Sequence, residues 1–323
     1  MKTPLFSGDK KSDKEDLRRV DYKKISEDAQ NTRVIVRPNK YAVVLIDFQI
    51  DFMNNCEEAL RNACNFLYYN IEKISDLYVF MQGNSFCKIN FQSFWNDKYG
   101  RPVTPGTIIT EDKVNDGLFC ISQNVRDSIP QFKDGALDEL VMFALQRYRK
   151  VEIEKYIAML GSIGSSLIPE IEESIFFHYC LSGSQPVIDY SGNHPLSNDQ
   201  CVFYSELERS PSGANLCGSK KYYIDSFRKY EKILFMGGSR NKVIISANEV
   251  ASPHNGMKRK VIILEDCCGK NKKDKTEKIK NVVLDENNFV NTSNLPRGKP
   301  CGFLCLNFIT KRGRIGIERM GRY

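Results

Sequence analysis

Histidine is scarce in this chain, with three copies in 323 residues. His178, His194 and His254 form no HxH or HxxxH pair, so each reads as a satisfied structural side chain and none as a metal ligand. Long apolar runs are missing as well, and no stretch approaches the ~18 residues that would carry a helix across a bilayer. The eleven cysteines follow no paired spacing that would suggest a disulfide framework. No N-terminal segment has the form of a signal peptide. Residues 1–38 carry ten Lys/Arg and seven Asp/Glu, whereas a mitochondrial presequence is poor in acids. No internal repeat is visible. These absences lead us to expect a reduced, soluble, cytoplasmic protein with no membrane partner.

What is present is unevenly distributed. The chain carries a formal charge of +7, and residues 270–323 alone hold 13 Lys/Arg against 5 Asp/Glu, so the basicity is local and the remainder is near neutral. We divide the chain into a charged N-terminal arm (1–38), an α/β domain (39–268) and a basic C-terminal extension (269–323). The extension contains a lysine-rich run from Lys270 to Lys280 and an arginine-glycine segment from Lys311 to Arg322. Arginine forms planar, bidentate bonds with carboxylate and phosphate, and glycine lets a backbone approach closely. Arg312, Arg314, Arg319 and Arg322 are therefore the candidate partner-binding residues. The partner expected is an acidic protein surface, such as a microtubule-type lattice in a cytoskeletal or ciliary setting. RNA is the second choice, since no RNA-binding signature accompanies the charge.

Tyr41 to Ile46 is a near-continuous apolar run rich in β-branched residues, the pattern of a central parallel strand covered on both faces. Asp47 stops that run. In open α/β sheets the ligand crevice lies beyond the carboxyl ends of the strands, so an acid there is placed for chemistry or for capping the next helix. Helical spacing over Glu57 to Tyr69 and a second apolar run, Leu77 to Met81, complete a βαβ unit. Helices are expected over Lys14 to Asp28, Ala136 to Tyr148, Ile168 to Tyr179 and Tyr222 to Tyr230, and strands at Lys232 to Met236 and Val261 to Leu264. The N-terminal arm is expected to order only against a neighbour. The alternation of strands and helices predicts a three-layer, mostly parallel, doubly wound sheet.

Several strings in this order resemble the isochorismatase-like cysteine hydrolases, the superfamily that includes nicotinamidases. They are Val43-Val-Leu-Ile-Asp-Phe-Gln-Ile-Asp-Phe52, Ser93 to Phe119, Met159 to His178, Gly192 to Leu207, Leu234-Phe-Met-Gly-Gly238 and Val261 to Cys268. The resemblance implies an Asp, Lys and Cys triad beside an oxyanion hole, with a nucleophile activated by a neighbouring base or cation. Asp47 matches the acid. The family lysine falls near Tyr190, where the sequence has none, and the nucleophile falls on Val243. The family's metal-binding positions fall on Gln82 and Asn84, and a divalent cation needs carboxylate or imidazole there.

With the chemical groups replaced, the expectation is a pseudoenzyme with no cofactor and no metal, serving as a structural or binding subunit of a larger assembly. Its vestigial pocket would comprise Asp47, Gln82, Asn84, Lys242 and Val243; Lys242 reads first as a solvated surface lysine, and the alternative is that it occupies the vacated space and pairs with Asp47. Two alternatives stand beside it: a divergent hydrolase with a site rebuilt around Asp47, and a sensor that binds small amides. A divergent nucleophile would be sought among Cys87, Cys201 and Cys217, which fall in loops near the expected crevice.

Overall fold

A computed structural model describes residues 20–32, 34–129, 136–269 and 283–295, with the backbone of 309, 310, 313 and 314. Along the chain the principal elements are α1 (Tyr22–Gln30), β1 (Tyr41–Ile46), α2 (Glu57–Tyr69), β2 (Ile74–Gln82), α3 (Ala136–Tyr148), α4 (Pro169–Ser182), β3 (Val187–Ser191), β4 (Lys232–Gly237), α5 (Arg240–Ala251), β5 (Val261–Cys268) and β6 (Phe289–Val290). The six strands form one parallel sheet in the order β6-β5-β4-β1-β2-β3.

The layering follows from alternation along β1. Ala42, Val44 and Ile46 face one side, where they pack with Phe80, Phe203, Phe227, Phe235 and the α5 residues Val243, Ala247 and Val250. Val43 and Leu45 face the other, against Ala63, Cys64, Phe66 and Leu67 of α2 and Ile171 and Ile175 of α4. A strand buried on both faces needs no polar alternation, which is why β1 reads as an unbroken apolar run. The expected three-layer, doubly wound arrangement is the one found.

A separate core lies beside the sheet. It joins Ile89, Phe94, Trp95, Ile109 and Ile121 to Val141, Ala144 and Leu145 of α3 and to Leu196 and Leu207 from the later loop. The Trp95 Nε1–H donates to the Ile89 carbonyl at 2.7 Å, so the indole is buried without losing its hydrogen bond.

Both ends of the described chain differ from expectation. Among the described residues the first helix begins at Tyr22, with Asp21 capping it by accepting from the Lys24 N–H at 3.0 Å; residues 14–19 of the expected helix lie outside the described residues. It docks on its own domain: Ile25 and Ala29 pack with Ile71 and Phe177, and the Tyr22 ring meets Phe176 edge-on at 4.9 Å. At the other end the sheet continues past the boundary drawn at 268, because Phe289–Val290 pairs with Ile263 and Leu264. Asn288 holds that strand by donating to the carbonyls of Lys258 and Val261 at 2.9 and 2.7 Å. The lysine run from 270 to 280 lies outside the described residues, as do Arg312, Arg319 and Arg322. Of Arg314 only the backbone is described, in a short antiparallel pair with Ile309. Among the described residues no helix is long and apolar enough to cross a membrane.

Candidate functional site

Asp47 leaves the end of β1 through a left-handed backbone, φ 53°, which an aspartate tolerates better than most residues. Its N–H donates to the Phe80 carbonyl at 2.9 Å, which ties the turn to β2. The side chain is 1% exposed. It does not cap the next helix, whose N-cap position is Cys56. Instead its Oδ2 lies 2.9 Å from Lys242 Nζ, in the first turn of α5.

From that ion pair a polar chain runs through the interior. Lys242 Nζ donates to Gln82 Oε1 at 3.2 Å, and Gln82 Nε2 donates to Asn84 Oδ1 at 3.2 Å. The same Asn84 oxygen accepts from Lys88 Nζ at 2.8 Å, and Lys88 pairs with Asp199 Oδ2 at 2.5 Å. Ser197 closes the far end by donating to Asp199 at 2.8 Å. Asn84 Nδ2 donates to the Ile157 carbonyl at 2.7 Å, so neither end of that carboxamide is left over. Charge alternates along the chain: carboxylate, ammonium, two carboxamides, ammonium, carboxylate.

Supporting contacts fix this chain in place. Gln49 clamps the end of β2, its Oε1 accepting from the Gln82 N–H at 2.7 Å and its Nε2 donating to the Gln82 carbonyl at 2.6 Å. Gly192 stands against the carboxamides with φ 94°, and a Cβ there would come within 2.5 Å of Asn84 Oδ1. A side chain at 192 would be strained by the backbone and would press on Asn84.

Burial and charge set the protonation preferences. Burial pushes the Asp47 carboxyl above the usual carboxylate range, against the pull of the Lys242 ammonium and with a further push from Asp199. Burial also acts upward on Asp199, but Lys88, then Lys242, and the hydrogen bonds from Lys88 and Ser197 outweigh it and hold that carboxyl below the usual range. Lys88 is itself fully buried, and a buried ammonium is tolerated only when paired and hydrogen-bonded.

The other candidates from the sequence fall elsewhere. Val243 does not face Asp47. It is fully buried between α5 and the sheet, and the neighbouring Lys242 is the residue that reaches the acid. One step along a helix turns a side chain by about 100°, enough to move it from one environment to the other. Tyr190 lies on the edge strand β3 and is 49% exposed. Lys88 and Asp199 were not singled out from the sequence.

Two of the histidines and two of the three candidate cysteines are likewise absorbed by structure, whereas Cys87 is half-buried. His178 Nε2 bonds the Ile74 carbonyl at 2.7 Å, and His194 Nδ1 accepts from the Leu196 N–H at 3.2 Å. Burial holds both below the usual imidazole range. Cys201 and Cys217 are buried, and burial pushes each thiol up to about 11. Iodoacetamide at neutral pH is therefore expected to leave both unmodified in the native protein and to label them after denaturation, as peptide mapping would show. Selective native labelling of either would contradict this.

The metal implied by the family resemblance does not fit these residues. Gln82 and Asn84 offer neutral carboxamide oxygens already engaged by ammonium groups, and a lysine cation stands among them. Among the described residues no group of three or more His, Cys, Asp or Glu side chains is placed to hold a metal.

No family model matches the chain, and no curated protein matches it. Among solved structures it is similar to the yeast nicotinamidase Pnc1p, at 12% identity with a TM-score of 0.47, covering 73% of this chain and 90% of that one. It is similar also to an Acinetobacter baumannii nicotinamidase/pyrazinamidase, at 12% identity and a TM-score of 0.43, covering 73% and 86%. A third is the Pyrococcus horikoshii pyrazinamidase in complex with zinc, at 11% identity and a TM-score of 0.39, covering 71% and 86%. Similarity at this level assigns neither family nor activity.

Proposed function

We propose that this chain is a non-hydrolytic protein on an isochorismatase-like scaffold, acting as a structural or binding subunit. The observation that carries the reading is the ion pair between Lys242 and Asp47 at 2.9 Å, inside a buried chain that ends in a second pair, Lys88 with Asp199. A lysine beside the acid is compatible with a triad of Asp, Lys and Cys, so the pair counts here for what it replaces: the helix position expected to supply the nucleophile supplies the Lys242 ammonium and the buried Val243, and neither is a thiol. The rest of the reading concerns the ends of the chain: the arginine-glycine segment at 311–322 binds an acidic partner surface and anchors the domain in an assembly.

Purified full-length protein is expected to hydrolyse nicotinamide and related aromatic amides far more slowly than ~1 s⁻¹, the low end of ordinary enzymes. Turnover above that rate, lost on Asp47→Asn, would sink the proposal and restore the divergent hydrolase. The sensor reading predicts a thermal shift with such amides. Nothing in the geometry favours it, because Lys242 already lies against Asp47.

A further inference from the structure

Three groups in the buried chain meet in the arrangement that amide formation needs. Lys88 is fully buried, Asn84 is 1% exposed and the Asp199 side chain 9%. Lys88 Nζ stands 2.8 Å from Asn84 Oδ1 and 2.5 Å from Asp199 Oδ2, so one nitrogen touches both a carboxamide and a carboxylate. A carbonyl bond is about 1.23 Å long, which puts the Asn84 carbonyl carbon at most ~4 Å from that nitrogen, against the ~3–3.5 Å of a reactive approach. The carboxamide is held on both sides. Its Oδ1 also accepts from Gln82 Nε2 at 3.2 Å, a donor placed where negative charge would build during attack, and its Nδ2 donates to the Ile157 carbonyl at 2.7 Å. Ser197 orients Asp199 by donating to it at 2.8 Å.

We propose that Lys88 and Asn84 close an isopeptide bond with each other autocatalytically, Asp199 serving as the general base. Asp199 takes a proton from the Lys88 ammonium, and the freed lone pair on Nζ attacks Asn84 Cγ while the carbonyl electron pair moves to Oδ1, facing Gln82 Nε2. Collapse of the tetrahedral intermediate restores the carbonyl and breaks the Cγ–Nδ2 bond. One proton of the attacking nitrogen reaches the departing nitrogen by way of Asp199, and the other leaves with the ammonia as ammonium, so Asp199 ends ionised as it began. The product is a secondary amide between residues 84 and 88, and no oxidant, reductant or second substrate is consumed. The ion pair is the starting state. Against the upward push of burial, Lys88 and Lys242 hold Asp199 ionised, so the free amine is the minor form and closure is slow. The flanking Ile89 and Leu196 are fully buried, which keeps water from competing as the nucleophile.

This inference goes beyond the proposed function and fails independently of it. The test is intact-mass spectrometry of the full chain, freshly purified and after a month at neutral pH. A species lighter by one ammonia is expected to accumulate, and its tryptic map to lack cleavage after Lys88 and to carry the bond between residues 84 and 88. Lys88→Arg keeps a cation beside Asp199 but presents no amine to attack with, and is expected to retain its full mass. Asp199→Asn is expected to slow closure about 100-fold, the usual worth of a general base. A wild type at full mass after the month, an ammonia loss that persists in Lys88→Arg, or a loss that maps to a succinimide at another asparagine would each overturn the proposal. So would an unchanged rate in folded Asp199→Asn; if that variant does not fold, the wild type and Lys88→Arg still decide the matter.

Discussion

Lys88→Met is expected to destabilise the protein by about 3–5 kcal/mol, the usual consequence of removing one partner from a buried ion pair. For a domain of this size that corresponds to a fall in Tm of roughly 10 °C. The magnitude comes from what is left behind. Methionine fills much of the volume, but Asp199 keeps a nearly buried carboxylate without its cation, and Asn84 Oδ1 loses its stronger donor.

The loss also depends on pH. Asp199 is held below its unfolded-state value, so it contributes stability above the usual carboxylate range and that contribution disappears as pH falls through its folded value. The gap in stability between wild type and Lys88→Met is therefore widest near neutrality and narrows below pH about 4, where the unfolded carboxyl takes up its proton. Urea titrations at neutral and acid pH measure it. A gap independent of pH would show that the lysine acts by packing alone, through its apolar stem.

The second large effect concerns Asp47 and Lys242. Either Asp47→Asn or Lys242→Met alone is expected to cost about 3–5 kcal/mol, while the double variant costs much less than the sum, because a buried pair exchanged for neutral side chains is often close to neutral in stability. Asp47 has the opposite pH dependence to Asp199. Its carboxyl is raised by burial, so the folded state holds the proton more tightly than the unfolded chain. This favours the fold at low pH and costs stability as pH rises from the unfolded value through the folded one. In Lys242→Met the cation that opposes the rise is gone, and the loss of stability on raising the pH from acid toward neutrality is expected to steepen. Additive single-variant effects in a double-mutant cycle would show that the two side chains do not act as a pair.

Nothing in this arrangement makes the buried charges a gain over an apolar interior. Two ammonium groups and two carboxylates have been taken from water, and their mutual attraction and hydrogen bonds offset that cost only because the chain is continuous. Continuity does fix relative position. Asp47 sits at the end of β1, Gln82 at the end of β2, Lys242 on α5, and Lys88 and Asp199 on loops that border the second core, so one network ties the sheet to the added layer.

Much of the sheet was legible in the sequence because its determinants are local. The Tyr41–Ile46 strand and the Glu57–Tyr69 and Ala136–Tyr148 helices have the expected bounds, since an unbroken apolar run or a stripe at helical spacing is a property of a few neighbouring residues. The α5 helix was not recognised, because Lys242, Val243, Ile244, Ser246 and Ala247 are all buried on it and no polar face marks the period. The strand β3 was missed because Val187–Ser191 alternates at a sheet edge with Asp and Tyr in place of a strong apolar run.

The site divides along the same line. Sequence alone determined that an acid ends a buried strand, that carboxamides stand at positions 82 and 84, and that Lys242 was a candidate partner for Asp47. Tertiary structure decided the rest. The Lys88–Asp199 pair spans 111 residues with no local pattern to join them, though a lone lysine between the fully buried Ile89 and the apolar Phe86 and Cys87 was a signal that could have been followed. The reason is physical: periodicity is fixed by the geometry of one element, whereas a buried charge is tolerated only where another part of the chain brings its counter-charge within reach.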